Sequence, residues 1–182
     1  MKQTLDWQPL IRFWFETISP KQWWYSDADF DRGIASRFGE QHQQACAGEL
    51  HAWRQTPKGS LAEILLLDQI SRHIYRGDAR SYAFDGMALV LSQLAIEKGF
   101  DKDLIAPMRQ FLYLPWQHSE SLHIQKQSLV LYRDPDIKGY QSAQKHFKVI
   151  EQFGRFPHRN RILNRVSTPQ ELAYLEINPN PF

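Results

Sequence analysis

Apolar residues along the chain recur at the three- and four-residue spacing of a helix, and the period-two alternation of a half-buried strand is absent. Turn residues punctuate this pattern, so each segment has a start and a stop. Asp6 and Pro9 open a first helix carrying Leu10, Phe13 and Trp14; Ser26 or Asp27 opens a second carrying Phe30, Ile34 and Phe38. The stretch from Glu40 to Trp53 is more polar but holds no proline, and Thr56-Pro57-Lys58-Gly59 separates it from the next element. Ser60 and Glu63 read as a capping box ahead of the apolar run 61–67, and Thr168 with Glu171 repeats the signature, with Pro169 at the first helical position. Asp78 precedes a long helical pattern ending near Gly99. Pro107 starts or kinks a segment through Leu112, Ser119 opens a helix to about Tyr132, and Tyr140 begins one that stops at Gly154. The pattern predicts an all-α protein of eight or nine helices, with short loops that suit antiparallel packing.

The helix from Ser60 is apolar nearly all round in its first two turns, as a helix buried on most sides would be. Asp68, Arg72 and Arg76 then recur at four-residue intervals with Gln69 alongside, while Leu66, Leu67, Ile70 and Ile74 occupy another stripe. One reading is an exposed face with a weak Asp68–Arg72 pair. The other has Asp68 accepting a forked hydrogen bond from an arginine elsewhere and fixing two guanidiniums beside a pocket.

The segment Phe153-Gly154-Arg155-Phe156-Pro157-His158-Arg159-Asn160 supplies such an arginine. Gly154 suits the left-handed end of a helix and Pro157 restrains Phe156, so Arg155, His158, Arg159 and Asn160 hang from a constrained backbone. A third polar cluster is 112–120, where Pro115 is expected to break the chain and Ser119 to cap the next helix. That would put His118 and Glu120 at a helix N-terminus, where a carboxylate is favoured and imidazole proton affinity falls. The plainer alternative is that Glu120 only complements the helix dipole and His118 caps or packs. His146, on one face with Ile150 and Phe153, reads as a hydrogen-bonded core histidine.

Net charge is +2, too near neutral for bulk electrostatics to indicate nucleic acid or a membrane surface. The excess is local: no acidic residue lies between Glu151 and Glu171, whereas Arg155, Arg159, Arg161 and Arg165 do. Internal carboxylates such as Asp68 and Glu120 are expected to neutralise part of it, leaving guanidiniums for an anionic small molecule or peptide carboxylate. The cluster is short and forms no extended stripe, which counts against RNA. Cys46 is the only thiol, so no intrachain disulfide or cysteine-based metal site forms, and a cytoplasmic location is expected. No apolar run approaches the length of a membrane span. Glu120-x-x-His123 occurs once where a di-iron bundle needs two, and His118-x-Glu120 lacks the cysteine pair of a zinc deaminase. Neither a metal nor a cofactor is expected. The chain also has no phosphate-binding glycine loop and no Gly-x-Ser-x-Gly turn. A single domain over 1–182 is expected, with 1–5 and 178–182 frayed.

Four segments together, Phe13-Trp14-Phe15, Leu66-Leu67-Asp68-Gln69 with Arg72 and Tyr75-Arg76, Tyr113-Leu114-Pro115 with His118-Ser119-Glu120, and 153–160, resemble the largely bacterial domain-of-unknown-function family 924. The resemblance spans nearly the whole chain and implies a stacked, tetratricopeptide-like array of antiparallel helices. It supplies no activity. Two positions depart from that pattern, His73 where the family usually has Asn and Asn164 where it usually has Gly; Asn still adopts the left-handed conformation a turn there needs.

Three functional readings follow. The first is a binding module with ligand-binding residues Asp68, Gln69, Arg72, Arg155, Arg159 and Asn160 around an anion. The second is an enzyme using His118 or His158 as general acid or base, with Glu120 orienting it. The third is a structural polar network in a protein-interaction scaffold. Trp23-Trp24-Tyr25 reads as core packing or as an exposed aromatic anchor for a protein partner.

Overall fold

The computed structural model describes residues 6–24 and 27–179, and every regular element among them is helical. Asp6 accepts the Gln8 amide at 3.0 Å and Pro9 lies in the first turn of α1, which covers Gln8–Arg12 and widens into a π turn at Phe13–Thr17. Asp27 accepts from the Phe30 amide and caps α2, Ala28–Cys46. Ser26, the alternative cap, lies outside the described residues, as do 1–5 and 180–182.

Thr56 caps α3 in place of Ser60. Its Oγ1 accepts the Gly59 amide at 3.1 Å, and Pro57, which has no amide hydrogen to lose, becomes the first helical residue. The helix runs through Pro57–Leu65, a π turn at Leu66–Ile70 and Ser71–Ile74. Ser60 and Glu63 therefore lie inside it, and Glu63 is fully buried. Arg54, from a short 3-10 turn at His51–Gln55, grips both Glu63 oxygens at 2.6 Å.

Asp78 caps a 3-10 turn at Ala79–Tyr82 and the α-helix α4 starts only at Asp85, ending at Glu97. α5 covers Ala106–His118 with Pro115 inside it, so the expected break does not occur. A proline there forfeits one helical hydrogen bond and costs about 3 kcal/mol, but every residue over 111–117 is buried, and that apolar burial outweighs the loss. Ser92 Oγ donates to the Leu112 carbonyl at 2.5 Å and accepts from Trp116 Nε1 at 2.9 Å, tying α4 to this stretch. α6, Leu122–Leu131, is capped by Ser121, two residues past the expected Ser119. α7, Tyr140–Phe153, ends on Gly154 at φ +69°, as expected, and α8, Pro169–Ile177, has the complete Thr168–Glu171 capping box. Asn164 is left-handed at φ +53°. Asn178, in the expected frayed tail, donates Nδ2 to the Tyr174 carbonyl at 3.0 Å.

α3 is the central helix because it is apolar on nearly every side. Residues 59–71 are all buried, against α1, α2, α4 and α5, while α5, α6 and α7 pack each on the next. The main core includes Trp14, Leu61, Leu66 and Phe111; Val149, Ile150 and Phe156 form a smaller one with Phe153 and Tyr174 beneath the loop that follows α7.

Candidate functional site

The π turn of α3 carries Asp68, whose carboxylate is only 1% exposed. Being an acceptor, it fixes its partners' roles: His118 donates Nδ1–H to Oδ1 at 2.6 Å and Gln69 donates Nε2–H to Oδ2 at 2.6 Å. Arg72 lies 3.5 Å from Oδ1 and donates to the Asp68 carbonyl. Burial alone would raise the Asp68 carboxyl, but His118, Arg72 and the Gln69 hydrogen bond hold it below its ordinary value. His118 is the last residue of α5, a helix C-terminus and not the N-terminus expected, because α5 continues through Pro115. With Nδ1 committed to Asp68, Nε2 is the nitrogen left for the cavity side.

A second carboxylate, Asp85 at the start of α4, joins two arginines from distant segments. Its Oδ2 accepts from Arg72 Nη2 at 3.1 Å and from Arg159 Nη1 at 3.2 Å. Arg159, 6% exposed, also donates to the His118 carbonyl at 3.2 Å and lies between the rings of Tyr82 and Phe156, at 4.5 and 4.6 Å from their centroids. Its Nε is buried without a hydrogen-bond partner. The loop arginine expected on Asp68 thus meets Asp85, while the Asp68 carboxylate is held by His118, Gln69 and Arg72.

Three cavities meet at His118. The first, of about 470 Å³, has Trp23, Trp24 and Leu114 on its walls with the amides of Gln69, Gln110 and Gln117. The second, of about 350 Å³, is bordered by Asp85, Glu120 and Tyr82. The third, of about 280 Å³, is lined by Arg72, Arg76, Arg159, His118, His146 and His158 together with Ser81, Tyr82 and Phe156, with no carboxylate among the described residues that line it. The first and third share Arg72, Arg76, His118 and His146. Arg76 is held from behind by Asp31, Nε to Oδ2 at 2.5 Å, which also takes His73 Nδ1 at 2.7 Å.

The other expected site residues serve elsewhere. Arg155 forks onto Glu171 at 2.6 and 2.8 Å, and Asn160 donates to Ser167 and Glu171 while accepting Arg165 Nε at 2.9 Å. Neither borders a cavity at His118. Glu120 takes a fork from Arg165 at 2.7 and 2.9 Å and the Phe156 amide at 2.8 Å; burial opposes its ionisation, but these partners keep its carboxyl below the ordinary value. It does not orient His118; Asp68 does. The expected neutralisation of the arginine-rich segment is real but partitioned, with Glu171, Asp85 and Glu120 each holding one guanidinium and Arg161 exposed. These pairs hold the loop that carries Arg159 and His158.

Two histidines at the third cavity, His146 and His158, are hard to protonate. His146 donates Nδ1–H to the Ser142 carbonyl at 2.8 Å, and burial, with His118 and Arg159 nearby, pushes it down to about 3. Burial and Arg159 push His158 down to about 4. For His146 the unfolded chain, titrating near 6.5, binds a proton that the folded chain refuses. Its contribution is therefore intact above about pH 6.5 and is lost progressively as pH falls towards 3, reaching about 2 kcal/mol at pH 5. Urea unfolding at pH 7 and pH 5 checks this: His146→Gln should lose about 2 kcal/mol less than wild type over that interval. Equal losses contradict it.

Asp85 and Tyr82 are central here and the sequence does not single them out. The local clue is Asp85-Gly86, a helix-start dipeptide inside what reads as one continuous pattern from Asp78. Chemically, the arrangement offers guanidiniums for an oxyanion and an imidazole backed by a carboxylate for proton transfer. Among the described residues no three His, Cys, Asp or Glu side chains are gathered to hold a metal ion, and no helix is long and apolar enough to cross a membrane.

No curated protein matches the chain. The solved structure of ATU0120, a protein of unknown function from Agrobacterium tumefaciens, is similar to it with a TM-score of 0.90 at 37% sequence identity, over 94% of this chain and 97% of that one. Residues 10–178 match the family model for bacterial proteins of unknown function designated DUF924, and the chain belongs to that family.

Proposed function

We propose that the protein binds a small anionic molecule in the cavity of about 280 Å³ beside His118. The observation that carries this reading is the lining: three guanidiniums and three imidazoles from α3 and the turn after it, α5, α7 and the loop after α7, with no carboxylate among the described residues that line it. The counter-charges lie behind the arginines, Asp31 on Arg76 and Asp85 on Arg72 and Arg159. The cavity is thereby lined by guanidiniums together with His146 and His158, both hard to protonate, an arrangement suited to a phosphate or carboxylate. Inorganic phosphate, sulfate and di- and tricarboxylates are the probes, read by melting temperature. An anion at about one hundred times its dissociation constant should stabilise by about 2.7 kcal/mol, a shift of about 5 to 10 °C. The shift should vanish in Arg159→Ala and shrink in Arg76→Ala, whose side chain is 55% exposed and whose fold should survive. Absence of any shift across the anions counts against the reading.

A second reading, turnover of the bound anion, is supported by the Asp68–His118 pair. His118 Nε2 would accept a proton from an attacking water while Asp68 holds the ring's tautomer and offsets the imidazolium charge, and the proton would then pass to the leaving group. Simple binding predicts that His118→Gln leaves anion affinity nearly intact and has no rate to lose.

A further inference from the structure

The cavity that adjoins the anion site has a different chemistry, and it indicates what the rest of the ligand is. The two share Arg72, Arg76, His118 and His146, so a molecule anchored by its anionic group in one projects into the other. There the guanidiniums give way to Trp24, Leu114 and the amides of Gln110 and Gln117, again with no carboxylate among the described residues. Trp24 lies parallel to Phe111, with ring centroids 5.6 Å apart and planes 9° apart, yet stays 59% exposed. Phe111 is 1% exposed and belongs to the core, so one face of the indole rests on a fixed ring and the other is open. Trp23 braces this wall by donating Nε1–H to the Trp14 carbonyl at 2.7 Å and meeting Phe111 edge-on at 5.1 Å. Trp24 is the one aromatic side chain among the large apolar residues left exposed in the described chain.

An aromatic face backed by a buried ring at the wall of a cavity loses less conformational freedom when a second ring stacks on it than an unsupported one would. From this we infer that the ligand is a planar aromatic or heteroaromatic molecule carrying a phosphate, phosphonate or carboxylate group, with its ring against Trp24 and its anion at Arg72, Arg76 and Arg159. This rests on the anion site proposed above. The amides beside Trp24 fit ring substituents or heteroatoms that exchange hydrogen bonds, and a cavity of about 470 Å³ is within the size of small-molecule sites.

Titration calorimetry of the whole chain with phenylphosphonate, methylphosphonate and inorganic phosphate tests it. The two phosphonates carry the same anionic group, differ in the ring, and hold a carbon–phosphorus bond that hydrolysis at this site would not cleave. Phenylphosphonate should bind about 5- to 10-fold more tightly than methylphosphonate. Trp24→Ala should erase that preference while leaving phosphate affinity unchanged, and Trp24→Phe should restore most of it. Equal affinities in the wild type, a preference that persists in Trp24→Ala, or a Trp24→Ala loss shared by all three anions would each overturn the inference while the anion site stands. If none of the three binds, the anion site itself fails and this inference with it.

Discussion

Arg54→Ala is expected to cost about 3 kcal/mol of stability, a fall in Tm of about 6 to 12 °C. Glu63 has no exposed surface, and its two oxygens are gripped by Arg54 Nε and Nη2 at 2.6 Å. Removing the guanidinium leaves a carboxylate in the middle of α3 with neither solvent nor counter-charge, the circumstance in which breaking a buried pair is most costly. The estimate is the lower end of the usual range because Arg54 is 29% exposed and its loss admits water. Replacing the pair together, Arg54→Met with Glu63→Leu, removes the charge that would be stranded and should recover most of the loss. Thermal and urea unfolding of the three variants measures this; a Tm for Arg54→Ala within about 2 °C of wild type would show that Glu63 finds another partner or protonates cheaply.

Asp68→Asn should separate the two functional readings. An amide of the same shape cannot hold the His118 tautomer with a charge, so any turnover should fall by about 10³- to 10⁴-fold, the scale on which a His–Asp pair responds to this change. Anion affinity should move the other way. Asp68 is buried behind Arg72 and does not line the third cavity, so removing its negative charge leaves the site more positive and should tighten binding by about tenfold. Stability should fall by about 1 to 3 kcal/mol through the weakened hydrogen bonds to His118, Gln69 and Arg72. Calorimetry with phosphate and a rate assay on phosphate and carboxylate esters read the two arms. A variant that loses anion affinity would contradict the view that Asp68 works only from behind the guanidiniums.

Where the chemistry is local, the residue pattern foretold it. Gly154 ends α7 left-handed, Thr168 and Glu171 form their reciprocal cap, and Asn164 takes the positive φ that its short amide side chain tolerates. Signals that compete with a neighbour or with burial misled. Ser60 and Glu63 have capping-box spacing, but Thr56 followed by Pro57 caps four residues earlier and Glu63 is needed by Arg54. Pro115 reads as a breaker, yet buried residues on both sides keep α5 helical, and this alone moves His118 from a helix start to a helix end. Asp68, Gln69, Arg72, His118, His158 and Arg159 do gather around connected cavities. Arg155 and Asn160, equally polar in sequence, are spent on Glu171 and Arg165.

By itself the sequence determined an all-helical chain, most of its caps, and the segments that carry its polar chemistry, because helix periodicity, capping and turn conformation are interactions among residues a few positions apart. Only the tertiary structure decided which of those groups meet. His118 reaches Asp68 across 50 residues and Arg159 reaches Asp85 across 74; the first contact depends on how α5 packs against α3, the second on where the loop after α7 meets the start of α4.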